Sequence, residues 1–297
     1  MLYSVVDVGS NTVRLVTYKI ENNNYLPVYT DYRALGLISE IYDGKLCDSA
    51  IDALCDALSD FKKNSPANAR FLAFATAFMR AIENADIVIE EVKSRTGISL
   101  EVLSGEDEAL YSFKGVMRSL NKKSGIVADF GGGSCEFISF DGNSPTNFTS
   151  FPFGCVKLAK QFVKNTDFPS HDEMSAMESY VTEMISAEEW ITGHDDLILT
   201  GGTARAFAQL NNTLSKLNLP LVNYRFTVDS FVKLYDSFTT FKDEYKEIIA
   251  KTMPNRLKTI YPGFAAVKAI IEKIGCKRIT ISTEGVREGY LSENIRR

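Results

Sequence analysis

Two stretches of this chain set an aspartate two residues ahead of a turn made from Gly, Ser, Asn and Thr. They are Asp7-Val8-Gly9-Ser10-Asn11-Thr12 and Asp129-Phe130-Gly131-Gly132-Gly133-Ser134. Small residues let several backbone N–H groups converge on one point, a nest that suits phosphate. A carboxylate at the end of the strand entering such a nest can hold Mg²⁺ or its water. A third turn, Thr200-Gly201-Gly202-Thr203-Ala204-Arg205, follows the apolar run Leu197-Ile198-Leu199 and leads into a helical pattern. There a helix N-terminus adds its positive end beside an arginine. Glycine turns also serve ordinary hairpins. The doubling of the aspartate turn is what lifts these above that reading.

The doubling belongs to an internal repeat. Val5–Val16 lies over Val127–Ile138 at an offset of 122. Each copy reads as a short apolar strand, a small-residue turn and an alternating strand, with Val13 and Leu15 in the first and Cys135 and Phe137 in the second. A polar turn follows (Glu21–Asn24 and Asp141–Asn143), then a third extended segment (25–29 and 147–151), completing a β-meander. Helices then alternate with strands. The spacing predicts a helix over 48–63 with Ser49-x-x-Asp52 as its capping start. A strand over 70–75 follows, then a helix over 76–94 broken near Glu83–Asn84, a strand over 98–103 and a helix opened by Ser104-Gly105-Glu106-Asp107. The second half reads as helices over 170–191, 203–210, 231–238, 244–251, 264–274 and 286–294, with strands over 197–200 and 278–282. This predicts an α/β fold of two similar domains, 1–122 and 123–297, each a mixed sheet with flanking helices, and a cleft between them. The polar stretch Asn121–Ser124 marks the boundary.

Composition narrows the function. Lys+Arg 33 against Asp+Glu 38 gives a net charge of −5, which argues against nucleic acid as partner. With 45% hydrophobic and 24% charged residues the chain is a folded one, not a disordered one. No apolar run reaches the roughly 18 residues of a membrane helix, so no membrane partner is expected. The start, Met1 to Asp7, lacks the basic region of a secretory leader. Five scattered cysteines without a C-x-x-C spacing give no disulfide or zinc framework, and a cytoplasmic location follows. His171 and His194 sit in polar surroundings and read as solvated. Any metal site must then come from carboxylates, which favours Mg²⁺.

The paired Asp-x-Gly-x-x-Ser/Thr turns resemble the phosphate loops of the sugar kinase, heat-shock-chaperone and actin superfamily. Within it the chain resembles the exopolyphosphatase / guanosine pentaphosphate phosphatase (Ppx/GppA) family. Besides the two loops, the resemblance rests on Ala75-Thr76-Ala77-Phe78-Met79-Arg80 with Glu83-Asn84, and on Leu103-Ser104-Gly105-Glu106-Asp107-Glu108-Ala109. Phe153-Gly154-Cys155-Val156 and Gly285-Val286-Arg287-Glu288-Gly289 also match. The motifs run in order over nearly the whole chain. Position 107 is Asp where the family usually has Glu, which makes Glu108 the carboxylate to carry over. Position 202 is Gly where Ser is common.

The resemblance implies two actin-like (ribonuclease H-like) domains and hydrolysis of a terminal phosphoanhydride. Glu108 would be the base or water-positioning group, and Arg80 a catalytic guanidinium gripping phosphate. Asp129 and Glu136, with Asp7 from the other nest, would hold Mg²⁺. Phosphate would be bound by Gly9, Ser10, Asn11, Thr12 and Arg14, by Gly131, Gly132, Gly133 and Ser134, and by Gly202, Thr203 and Arg205, with Arg256 extending the channel. The substrate would be polyphosphate or a guanosine polyphosphate, and a homodimer is left open. Two further classes compete: a kinase or ATPase of the same superfamily, and a non-catalytic sensor that binds (p)ppGpp.

Overall fold

The computed structural model describes every residue except 23, 165–167, 241 and 296–297. The expected turn at Glu21–Asn24 includes residue 23 and so lies partly outside the described residues. The chain divides into two compact units, one of residues 1–108 with 290–297, the other of residues 109–289. The expected boundary at 122/123 lies just ahead of the second repeat, and the chain rejoins the first unit at Tyr290, within the last helix.

The first unit is built on the first meander. Strands β1 (Leu2–Val8), β2 (Val13–Glu21) and β3 (Asn24–Arg33) pair antiparallel. A short hairpin, β4 (Ile41–Tyr42) and β5 (Lys45–Leu46), precedes helix α1 (Asp48–Asn64). Strand β6 (Arg70–Ala75) then joins β1 in parallel, and β7 (Glu101–Val102) joins β6, giving the order β3-β2-β1-β6-β7. Helices α2 (Ala77–Arg80) and α3 (Ala85–Thr96) lie between them. Ile51, Leu54, Leu58 and Phe61 fall on one face of α1 and are buried with Val6, Val8, Val13 and Leu15 of the sheet. Each such side chain contributes about 1.5–3 kcal/mol of burial.

Two expectations shift here. The Ser49 pattern does not cap α1, because Ala50 N–H and Ile51 N–H already bond to Cys47 C=O, 3.1 Å each, and the helix starts at Asp48. Ile98, Leu100 and Leu103 are buried, yet of residues 98–103 only Glu101 and Val102 pair, as the edge strand β7.

The second unit repeats the plan. Helix α4 (Gly105–Met117) leads to β8 (Ser124–Phe130), β9 (Cys135–Asp141) and β10 (Ser144–Phe151), again antiparallel. Helices α5 (Cys155–Phe162) and α6 (His171–Ser186) precede β11 (Asp196–Thr200), which pairs parallel to β8. Then come α7 (Gly202–Leu214), β12 (Tyr224–Thr227), α8 (Val228–Thr240), α9 (Lys242–Thr252), α10 (Ile260–Ile274), β13 (Arg278–Ile281) and α11 (Val286–Ile295). The sheet order is β10-β9-β8-β11-β13-β12. Helices α5 and strand β12 were not predicted, and the expected 170–191 helix ends at Ser186. Ala109, Phe113, Val116 and Leu120 pack α4 onto Val127, Ile138, Phe140 and Ile198, so Phe113→Ala would cost about 3–5 kcal/mol. At Gly115 α4 meets the loop before α11 backbone to backbone. A Cβ there would lie 1.9 Å from the Gly285 carbonyl oxygen.

Candidate active site

In the first unit, β1 and β6 end side by side, with Val8 level with Ala75. The Gly9–Thr12 turn and the Thr76–Arg80 segment therefore share one end of the sheet. Gly9 N–H closes the turn on Thr12 C=O at 3.2 Å. Gly36 and Ile38 N–H groups take the carbonyls of Asn11 and Ser10 at 3.0 and 2.9 Å. In a trans peptide the next N–H points opposite to the carbonyl. The N–H groups of Asn11 and Thr12 are thus aimed away from that brace, which makes the nest. Arg14 stands opposite Asp7 in the ladder and over the Tyr32 ring, 5.9 Å from its centroid.

The three acids that open α4 separate cleanly. Glu106 is exposed. Asp107 spends its carboxylate on the Ser104 hydroxyl (2.8 Å), while its N–H donates to the same oxygen (3.0 Å), a capping arrangement. Glu108 is only 6% exposed, and Arg80 Nη1 donates to its Oε2 at 2.9 Å and to Leu103 C=O at 2.5 Å. Arg80 was expected to grip phosphate. The structure spends its Nη1 on directing Glu108.

In the second unit, Asp129 and Glu136 stand directly opposite in the β8–β9 ladder. Opposite residues of an antiparallel pair share a face, with Cβ atoms about 5 Å apart. The first repeat pairs Asp7 with Arg14 at the equivalent place; the second pairs two carboxylates. Gly131 N–H closes the turn on Ser134 C=O at 3.0 Å. The first N–H groups of α5, from Cys155, Val156 and Lys157, hold the carbonyls of Gly131 and Gly132 at 3.0–3.2 Å. By the same trans geometry the N–H groups of Gly132 and Gly133 point away from α5.

Asp129 Oδ2 accepts from the Ser112 hydroxyl at 2.7 Å. Burial pushes its pKa up, against the opposing pull of Ser112 and of Arg205. Glu136 is 2% exposed and Oε1 accepts from Ser150 at 2.8 Å. Lys157, in the first turn of α5, has its pKa lowered by burial, offset in part by Glu136.

The third turn abuts this pair, with Thr200 level with Asp129. Gly201 has φ 98°, and a Cβ there would lie 2.6 Å from Phe130 C=O and 3.1 Å from Asp129 Oδ1, so only glycine fits. Arg256 lies on Gly202, whose Cβ would be 2.0 Å from the guanidinium Nη2. Thr203 is buried at the start of α7. Two hard oxygen donors on one face, in surroundings that disfavour the carboxylate form of Asp129, fit Mg²⁺ completed by phosphate oxygens. Among the described residues no group of three or more His, Cys, Asp or Glu is placed to enclose a metal.

Sequence reasoning missed Ser112, Lys157, and the roles of α5 and of the loop before α11. Ser112 carries a weak signal, since it lies one helical turn after Glu108.

The model of the Ppx/GppA phosphatase family matches residues 32–297. The chain is 26% identical over 306 residues to exopolyphosphatase 1 of Mycobacterium tuberculosis, spanning 99% of this chain and 88% of that one. It is 24% identical to a guanosine-5'-triphosphate,3'-diphosphate pyrophosphatase of Vibrio parahaemolyticus, over 99% of this chain and 59% of that one. A crystal structure of an exopolyphosphatase from Cytophaga hutchinsonii has the same fold, with a TM-score of 0.90 at 24% identity, covering 100% of this chain and 98% of that one. With nine-tenths of its length inside one family model and its two Asp-Gly turns on equivalent strand ends, the chain belongs to the Ppx/GppA phosphatase family.

Proposed function

We propose that this chain is a phosphohydrolase that releases terminal phosphate from inorganic polyphosphate or guanosine pentaphosphate. The observation that carries this reading is the Arg80–Glu108 pair, a buried carboxylate held in one direction by a guanidinium at 2.9 Å. Hydrolysis needs a water oriented in line with the bond that breaks, more than it needs a strong base. Glu108 supplies that orientation and accepts the water's proton. Each unit carries its own groups for phosphate oxygens: the Gly9–Thr12 turn with Arg14 in the first, and the Gly131–Ser134 turn and the Gly202–Arg205 segment in the second. Asp129 and Glu136 are the residues that would hold Mg²⁺. When bound, the ion neutralises charge on the phosphate oxygens. Asp7, facing Arg14, helps orient that guanidinium.

The test is phosphate release from the two substrates side by side, with Mg²⁺ present. Glu108→Gln keeps the shape and removes the basic carboxylate. Turnover should fall by about 10²–10³-fold, in the lower half of the range for a positioned base, with substrate affinity retained. ATP loss that depends on an acceptor would favour a kinase. Tight binding without turnover would favour a sensor.

A further inference from the structure

The two repeats differ at one place that bears on phosphate. In the first, the ladder partner of Asp7 is Arg14, so the hairpin carries its own cation beside its turn. In the second, the ladder partner of Asp129 is Glu136, and residues 124–141 contain neither lysine nor arginine. A phosphoryl oxygen brought to the Gly131–Ser134 turn therefore meets two carboxylates and no cation from that hairpin. Charge of the opposite sign has to come from another element.

Helix α5 brings it. Gly154 lets this helix press on the turn: a Cβ there would lie 2.5 Å from Gly132 C and 2.7 Å from the Gly131 carbonyl oxygen. Lys157 N–H then donates to Gly132 C=O at 3.2 Å, which fixes the backbone of this lysine on the turn itself. Its side chain reaches the end of β10, where Nζ donates to Pro152 C=O at 3.4 Å. Pro152 lies two residues after Ser150, whose hydroxyl holds Glu136 Oε1 at 2.8 Å. The ammonium is thus set beside the acid pair. It has three N–H donors, spends one on a long bond to a carbonyl, and is in no ion pair with any described carboxylate. A half-buried cation held this way, next to a nest of N–H groups, has donors to spare for an anion.

We propose that Lys157 is a phosphate-binding residue of the second turn. Its ammonium donates to an oxygen of the phosphoryl group seated on Gly131–Ser134, the part that Arg14 plays at Gly9–Thr12. The ligand class is a phosphate chain, and that choice rests on the phosphohydrolase reading. Lys157 does not orient the attacking water, which is the task of Glu108. Its contact is made before and during the reaction alike, so it acts on KM and leaves kcat nearly unchanged.

The test uses Lys157→Met, which keeps length and removes the charge, and Lys157→Arg, which keeps the charge. Calorimetric binding of imidodiphosphate, whose P–N–P bridge resists hydrolysis, reads the contact without turnover, with Mg²⁺ present. Lys157→Met should weaken that binding by about tenfold, the size of one hydrogen bond to a charged group. The KM for phosphate release should rise by about the same factor, with kcat within about twofold of the parent. Lys157→Arg should restore both to within about threefold. If Lys157 only offsets the charge of Glu136, Lys157→Met binds imidodiphosphate as the parent does and reaches half activity at lower Mg²⁺, which overturns the proposal. A fall in kcat with imidodiphosphate binding unchanged overturns it too. Binding weakened in Lys157→Met, in a parent that releases phosphate from neither polyphosphate nor guanosine pentaphosphate, keeps the role of Lys157 and overturns the phosphohydrolase reading.

Discussion

The two ends of the six-stranded sheet treat their acids in opposite ways. Where β8, β11 and β13 begin, Asp196 accepts from Arg278 Nε and Nη2 at 3.0 and 2.7 Å and from Lys122 Nζ at 2.7 Å. Arg278, then Lys122, hold its pKa down at about 2. Where the same strands end, about 13 Å further along β11, Asp129 and Glu284 are both pushed up by burial. At the first end both carboxylate oxygens of Asp196 meet cationic donors. At the other, burial outweighs the pull of the nearby arginines, the condition in which a cation, a phosphate-bound ion or a proton finds a place. Ligands of open α/β sheets gather at the carboxyl ends of parallel strands, and here the charge balance marks that end.

The largest expected effect comes from neutralising an acid at the strand ends. Asp129→Asn should lower kcat by about 10²–10³-fold, roughly 3–4 kcal/mol of barrier, and shift the Mg²⁺ titration to higher concentration. Its melting temperature should hold or rise, because a buried charge has been removed. An unchanged Mg²⁺ curve would take Asp129 out of the site.

Neutralising the acid at the strand starts should do the reverse. Asp196→Asn should cost roughly 2 kcal/mol and lower the melting temperature by about 4–8 °C, with kcat within about twofold of the parent. The pH dependence separates the two ends further. A depressed pKa stabilises the fold above the ordinary value of 3.8 and loses that contribution as pH falls through about 2. A raised pKa, as at Glu284, favours the fold below 4.5 and loses that contribution as pH rises through about 7. Melting curves from pH 2 to pH 5 should therefore slope less in Asp196→Asn than in the parent. Equal slopes would show that the Asp196 cluster stabilises nothing.

The smallest effect tests how finely the strand-end acids are held. Ser112→Ala removes one hydrogen bond to Asp129, worth about 1 kcal/mol. The Mg²⁺ concentration for half activity should rise by about fivefold at nearly unchanged stability, and no rise would mean that Ser112 only fills space.

What was legible in the sequence was local. The Asp and Gly positions of the two turns are fixed by strand-to-strand connection within a dozen residues, so a single reading of the chain finds both. The choice among Glu106, Asp107 and Glu108 became physical only through Ser104, whose hydroxyl claims Asp107. What was not legible depends on residues far apart in the chain. The α5 amides that turn the Gly132 carbonyl come from 24 and 25 residues downstream. The Ser112 hydroxyl reaches Asp129 from another element. Arg80 reads as a phosphate ligand by type, and its 2.9 Å contact with Glu108, 28 residues on, appears only in the fold.

The last helix has a consequence for how the chain is made. Residues 290–297 belong to the unit that begins at Met1. There Tyr290 lies 4.7 Å from the Phe74 ring and its hydroxyl donates to Glu101 at 2.6 Å, while Arg70 reaches Asn294 C=O at 3.4 Å. During synthesis at about 5–20 residues per second, the intervening residues 109–289 take about 10–40 s to appear. Through that interval Phe74 lacks its aromatic lid, and the first unit waits on the ribosome as an incomplete body. The second unit, continuous in sequence, closes before the first is finished, so the part of the chain made first is the part whose core is sealed last.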